Sequence, residues 1–150
     1  MSKQTEEELR KHICAKGGCW RAKHFNEAGV HADLRGPWQI LLLDAHYQRC
    51  AKPRRGGICD AVAIYPSKAN TRLRLLELKQ SLEDLPGAYK QLRKGGEMVA
   101  EALPGGFKGL DVAAELHVRK APTTTRKLRQ WMLIEGRKVP VRAYREGNPV

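Results

Sequence analysis

Two apolar runs separated by a short polar break constrain this chain more than any other feature. Ile58 to Tyr65 (ICDAVAIY) and Arg72 to Gln80 (RLRLLELKQ) flank Pro66 to Thr71 (PSKANT). Runs of this length, rich in branched aliphatic residues and joined by a loop with Pro, Ser and Asn, are the pattern of a β-hairpin. Besides Arg72 and Arg74 near the start of the second run, charge falls at Asp60 on the first and at Glu77 and Lys79 on the second. Side chains alternate across a strand, so Glu77 and Lys79 fall on one face. A register that sets Asp60 opposite them gathers two carboxylates and one ammonium at one end of the hairpin. Charge placed among Ala, Val, Ile and Leu is costly to desolvate, so the arrangement calls for a purpose.

The rest of the chain supplies elements around that hairpin. Thr5 followed by Glu6, Glu7 and Glu8 places a cap and negative charge at a helix start, with the helix running toward Ile13. A second helical stretch is expected over Trp20 to Ala28, closing near Gly29. Trp38 to Tyr47 opens as a dense apolar run that reads as a strand, and Lys52 to Gly57 (KPRRGG) as a basic turn. Leu82 to Leu103 has helical spacing, tolerates Pro86 near its start and has a point of interruption at Gly95-Gly96. Asp111 to Val118 reads as a strand. Leu128 to Glu135 leaves strand and helix open, and Val139 to Tyr144, after Gly136-Arg137-Lys138, reads as the return strand of a second hairpin. With 150 residues, the chain is expected to form one α/β domain, a mixed central β-sheet flanked by helices.

Charge narrows the partner. Lys and Arg number 28 against 16 Asp and Glu, a net +12 that favours a polyanion such as nucleic acid. Lys52, Arg54, Arg55, Lys68, Arg72, Arg74, Lys90, Arg93 and Lys94 bracket the acids in sequence, where a phosphate track belongs. Arg119, Lys120, Arg126, Lys127 and Arg129 form a second cluster. No run approaches the roughly 18 apolar residues of a membrane span, and the polar, acidic start is unlike a signal peptide, so the expected location is cytoplasmic.

In a reducing compartment Cys14, Cys19, Cys50 and Cys59 read as buried thiols or as a four-thiolate Zn²⁺ site rather than as disulfides. His12, His24 or His46 could replace one ligand. Trp20, Trp38 and Trp131 are too scattered for a stacking platform, and core packing accounts for at least two of them.

A carboxylate pair suits a hard divalent cation, Mg²⁺ or Mn²⁺, whose remaining positions go to water and substrate phosphate. On ICDAVAIY, LRLLELKQ and the following LEDLPGAYKQLRKGGEMV, the sequence resembles the PD-(D/E)XK nuclease superfamily, over about Glu6 to Val118. The resemblance implies a restriction-endonuclease-like core and a metal-dependent endonuclease or exonuclease acting on DNA. It assigns metal binding to Asp60 and Glu77 and the attacking water to Lys79. Cys59 stands where the motif has Pro. Some branches carry Gln-x-x-x-Tyr on the next helix, whereas here Gln91 is followed by Gly95 and preceded by Tyr89, which leaves Gln91 an accessory. Glu8 is the candidate for the acid that many members carry on their first helix. Small Holliday-junction resolvases are the nearest analogues and imply a homodimer. Two other readings remain open at this point: a non-catalytic, zinc-stabilised nucleic-acid-binding module, and a nuclease directed at RNA.

Overall fold

The expected hairpin occupies the middle of a mixed sheet. The computed structural model describes residues 20–21, 24–27, 30–33, 39–42, 59–65, 71–79, 85–119, 130–145 and 148–149. Its strands are β1 (Trp20–Arg21), β2 (His24–Glu27), β3 (Val30–Asp33), β4 (Gln39–Leu42), β5 (Ala61–Tyr65), β6 (Arg72–Lys79), β7 (Asp111–Val118), β8 (Trp131–Ile134), β9 (Arg137–Arg145) and β10 (Asn148–Pro149). The described helix, α1 (Leu85–Ala102), lies in sequence between β6 and β7. The sheet runs β1-β4-β5-β6-β7-β9-β10, with β8 paired to β9 and a separate β2–β3 pair. The pairs from β4 to β6 are antiparallel, while β6 with β7 and β7 with β9 are parallel. A parallel neighbour needs a long crossover, and α1 provides it between β6 and β7.

Alternation sorts the two faces. Val62, Ile64, Leu73, Leu75, Val112, Ala114, Leu116, Val139 and Val141 form one core cluster with Leu85, Ala88, Leu92 and Val99 of α1. Each large aliphatic side chain enclosed this way contributes about 1.5 to 3 kcal/mol. On the opposite face Arg74, Leu76, Ala113, Glu115 and His117 are also buried, and β3 lies against β6 and β7.

Three local expectations change. Trp20 to Ala28 is not helical where described: His24–Glu27 pairs antiparallel with Val30–Asp33, with Ala28 and Gly29 between them in sequence. Gly29 was a hairpin signal as much as a helix stop. Within Leu128 to Glu135, where strand and helix were both open, Trp131–Ile134 is strand and pairs with Arg137–Pro140 around Glu135 (φ 51°) and Gly136 (φ 74°). Positive φ at both positions is the type I′ geometry that matches strand twist.

The third change is at Gly95-Gly96, which does not interrupt α1. A Cβ on Gly95 would lie 2.1 Å from Cys59 Sγ, and one on Gly96 2.9 Å from Ile134 and Leu75. The paired glycines let the helix axis approach the sheet more closely than any side chain would allow. Pro86 sits in the first turn, where its missing N–H costs nothing. Among the described residues no helix is long and apolar enough to cross a membrane. The expected first helix from Thr5 and the basic turn Lys52 to Gly57 lie outside the described residues.

Candidate active site

The antiparallel register pairs Ala61 with Leu76 at the start of β5, and Asp60 precedes that pair in a bend next to the strand. The Leu78 N–H donates to Asp60 Oδ2 at 2.6 Å, fixing this carboxylate against the strand that carries Glu77. Glu77 shares parity with Leu73 and Leu75, which places it on the α1 side, and it is only 1% exposed. Its parallel neighbour on β7 is Leu116. Lys79 follows on the same face at the end of β6, half-buried, its carbonyl accepting from the Arg119 N–H at 3.3 Å. The hairpin therefore brings Asp60, Glu77 and Lys79 to one end of the sheet.

Cys59 ties that end to the helix. Its backbone N–H donates to the Gln91 carbonyl at 2.9 Å, and its side chain, with no exposed surface, fills the space left by Gly95. Burial first, then the negative charges of Glu77 and Asp60, push the Cys59 thiol well above the ordinary thiol range. Gln91 thus adjoins the site through its main chain, and its side-chain Oε1 is buried without a hydrogen-bond partner among the described residues.

Asp60 and Glu77 offer oxygen donors that suit Mg²⁺, which commonly takes one or two protein carboxylates. Among the described residues no three of His, Cys, Asp and Glu gather into a group able to hold a metal by themselves. Cys59 is a free, enclosed thiol; Cys14, Cys19 and Cys50, like Glu8, lie outside the described residues.

The basic residues divide. Lys90 and Arg93 are exposed on α1 and Lys94 is half-buried, while Arg72 is exposed at the start of β6, 5.7 Å from the Tyr65 ring. Lys52, Arg54, Arg55 and Lys68 are outside the described residues. Arg74 corrects the expected phosphate track, because it is an internal residue at 8% exposure. Its Nη1 donates to the Asp111 carbonyl at 2.8 Å and lies 3.3 Å from Asp111 Oδ1, and its Nε stands 3.8 Å from Glu115 Oε2. Parity explains the difference: Arg74 and Glu77 are three residues apart on one strand, so they face opposite sides.

Compared with protein-family models, curated proteins and solved structures, the chain matches none.

Two groupings escaped sequence reasoning. On the face away from α1, Glu115 Oε1 lies 3.0 Å from His117 Nε2, and the His117 ring stacks on Tyr144 at 5.2 Å. The i, i+2 spacing in DVAAELHV was the available signal, but its link to Arg74 depends on the β6–β7 register. The other concerns Trp131, one of three tryptophans of which at least two were expected to serve packing; it is 45% exposed, with Leu133 beside it at 51%. The alternation of WMLI, with Met132 and Ile134 buried, is a period-2 signal that a residue-by-residue reading overlooks.

Proposed function

We propose that this protein is a divalent-metal-dependent nuclease with a restriction-endonuclease-like core, hydrolysing phosphodiester bonds in DNA at Asp60, Glu77 and Lys79. The observation that carries the reading is the burial of Glu77 at 1% exposure on the strand whose Leu78 N–H binds the Asp60 carboxylate. A carboxylate enclosed on the α1 side of the sheet is costly to desolvate, a cost that a bound cation would offset.

Asp60 and Glu77 would hold the ion, which supplies an activated water and charge neutralisation at the scissile phosphate. Leu78 N–H holds the Asp60 carboxylate in place before substrate arrives, so little reorganisation accompanies binding. Lys79, one step beyond Glu77 on the same face, presents an ammonium to the phosphate oxygens and to the attacking water, balancing the negative charge that grows as the bond breaks. Gln91 adjoins this group from α1 with an unsatisfied amide oxygen, suited to orient a water. Lys90 and Arg93 on the exposed side of α1, within a chain of net charge +12, favour a polyanionic substrate.

The test is cleavage of linear, supercoiled and branched DNA, and of RNA, with Mg²⁺ or Mn²⁺. Asp60→Ala and Lys79→Ala are expected to lose about 10² to 10⁴-fold in rate while retaining affinity for the substrate. Equal residual cleavage in wild type and both variants would overturn the assignment. Affinity that persists in chelator with no cleavage under any condition would instead favour a binding module.

A further inference from the structure

Beside β8 lies a cavity of about 340 Å³ lined by Arg93, Gln130, Trp131, Met132 and Leu133. Its volume falls at the lower end of small-ligand sites, roughly 300 to 1,000 Å³. β8 pairs with β9 and has no second strand partner among the described residues, and the cavity runs along this strand. Trp131 and Leu133 are the exposed large hydrophobic residues among the described ones. Lys138 Nζ stands 4.4 Å from the centre of the Trp131 ring, and Arg93 reaches the same cavity from α1. Among the described residues lining it there is no carboxylate.

We infer that Trp131, with Arg93 and Lys138, forms a stacking subsite for an unpaired base of a nucleic-acid strand. The inference deepens the nuclease reading and rests on it for the chemistry at Asp60, though the binding it describes needs no catalysis. An exposed indole offers a base a flat apolar face, and stacking of this kind tolerates any base identity. The flanking cations supply what the base brings with it, a phosphate on either side. An open strand edge could equally pair with a strand from a second copy of this chain. The cations argue against that occupant, because a peptide backbone offers them no charge and a second copy brings the same excess of positive charge.

Position adds to the case. Gln91 gives its carbonyl to Cys59 beside the carboxylates, and Arg93, two residues later on α1, lines the Trp131 cavity. The two features flank one turn of a helix about 10 Å across. Lys90 and Arg93 are exposed on that turn, so a strand held at Asp60 and Glu77 can cross a basic surface and leave a base at Trp131. In an intact duplex the bases are stacked and unavailable. The preferred substrate is therefore single-stranded, frayed or branched.

The deciding measurement is fluorescence anisotropy of a labelled 15-nucleotide oligo-dT and of a blunt duplex of equal length. It is made in chelator at fixed salt, in an Asp60→Ala background, so that cleavage plays no part. Trp131→Ala is expected to weaken oligo-dT binding roughly 5- to 150-fold, to leave duplex affinity within about twofold, and to be largely rescued by Trp131→Tyr, which keeps a ring. The indole is nearly half exposed, so the substitution tests contact rather than folding. Equal oligo-dT affinity with and without the ring would overturn the subsite, as would an equal loss on both substrates. Conversion of a dimer to a monomer by Trp131→Ala, seen by sedimentation with binding unchanged, would assign the edge to a second copy. A wild type that never cleaves, yet binds oligo-dT through Trp131, would sink the nuclease reading and leave the subsite standing.

Discussion

The contact between Gly95 and Cys59 offers a sharp test of how this helix is docked. A Cβ at Gly95 would fall 2.1 Å from Cys59 Sγ and 3.3 Å from Cys59 Cβ and N. Carbon and sulfur atoms rest no closer than about 3.5 Å, so the sulfur must retreat by at least about 1.4 Å. It has nowhere to go, since Cys59 has no exposed surface and its N–H is tied to Gln91 on the same helix. Overpacking of this kind costs about 1 to 3 kcal/mol, against a gain of about 1 kcal/mol from replacing a mid-helix glycine by alanine. Gly95→Ala is therefore expected to destabilise by up to about 2 kcal/mol. In a Cys59→Ala background the offending sulfur is gone, and the same substitution should be neutral or stabilising by up to about 1 kcal/mol. Urea unfolding of the four proteins, at constant m-value, yields the coupling directly. Gly96→Ala is the contrast: its neighbours at 2.9 Å are largely the ends of Ile134 and Leu75 side chains, which can rotate away at lower cost. If Gly95→Ala stabilised the wild type as it would an exposed helix, α1 could not sit against Cys59 as described.

Other expectations follow from the buried charges. Arg74→Met should cost about 3 to 5 kcal/mol in urea, because it strips Glu115 and Asp111 of an internal cation, whereas Arg93→Met on the exposed side of α1 should stay within about 0.5 kcal/mol. Equal effects would show that Arg74 is not internal. The Cys59 thiol, raised by burial and by Glu77 and Asp60, holds its proton in the folded state at a pH where the unfolded chain has lost it. Its contribution is complete below the unfolded thiol value, about 8.5, and is lost as pH rises from there toward the folded value, with a slope of up to about 1.4 kcal/mol per pH unit. Cys59→Ala should flatten the decline of stability above pH 9, and an unchanged slope would refute this. In the native protein, maleimide labelling followed by peptide mapping should leave Cys59 unmodified until unfolding.

Much of this organisation was legible in local pattern. The hairpin of β5 and β6, the strand Asp111–Val118 and the helix between them each carry a period that no neighbour needed to supply, and alternation alone set Glu77 and Lys79 on one face. Asp60 joins this end of the hairpin through the bond it accepts from Leu78 N–H, a contact that local pattern does not specify. Gly95-Gly96 was readable as a special point but with the wrong sign, because glycine weakens a helix considered alone and permits close docking of one held by a sheet. Arg74 looked like surface in a basic sequence; only the parallel register of β6 with β7, which brings it near Asp111 and Glu115, makes it internal.

The sequence by itself determined where charge interrupts apolar strands and which residues can share a face, since both follow from the two-residue repeat of a strand. Which carboxylates meet across strands, which arginine turns inward and which tryptophan stays in solvent were decided by tertiary structure. Those outcomes depend on register, on the face α1 covers and on the open edge of β8, and each is set by partners distant in the chain.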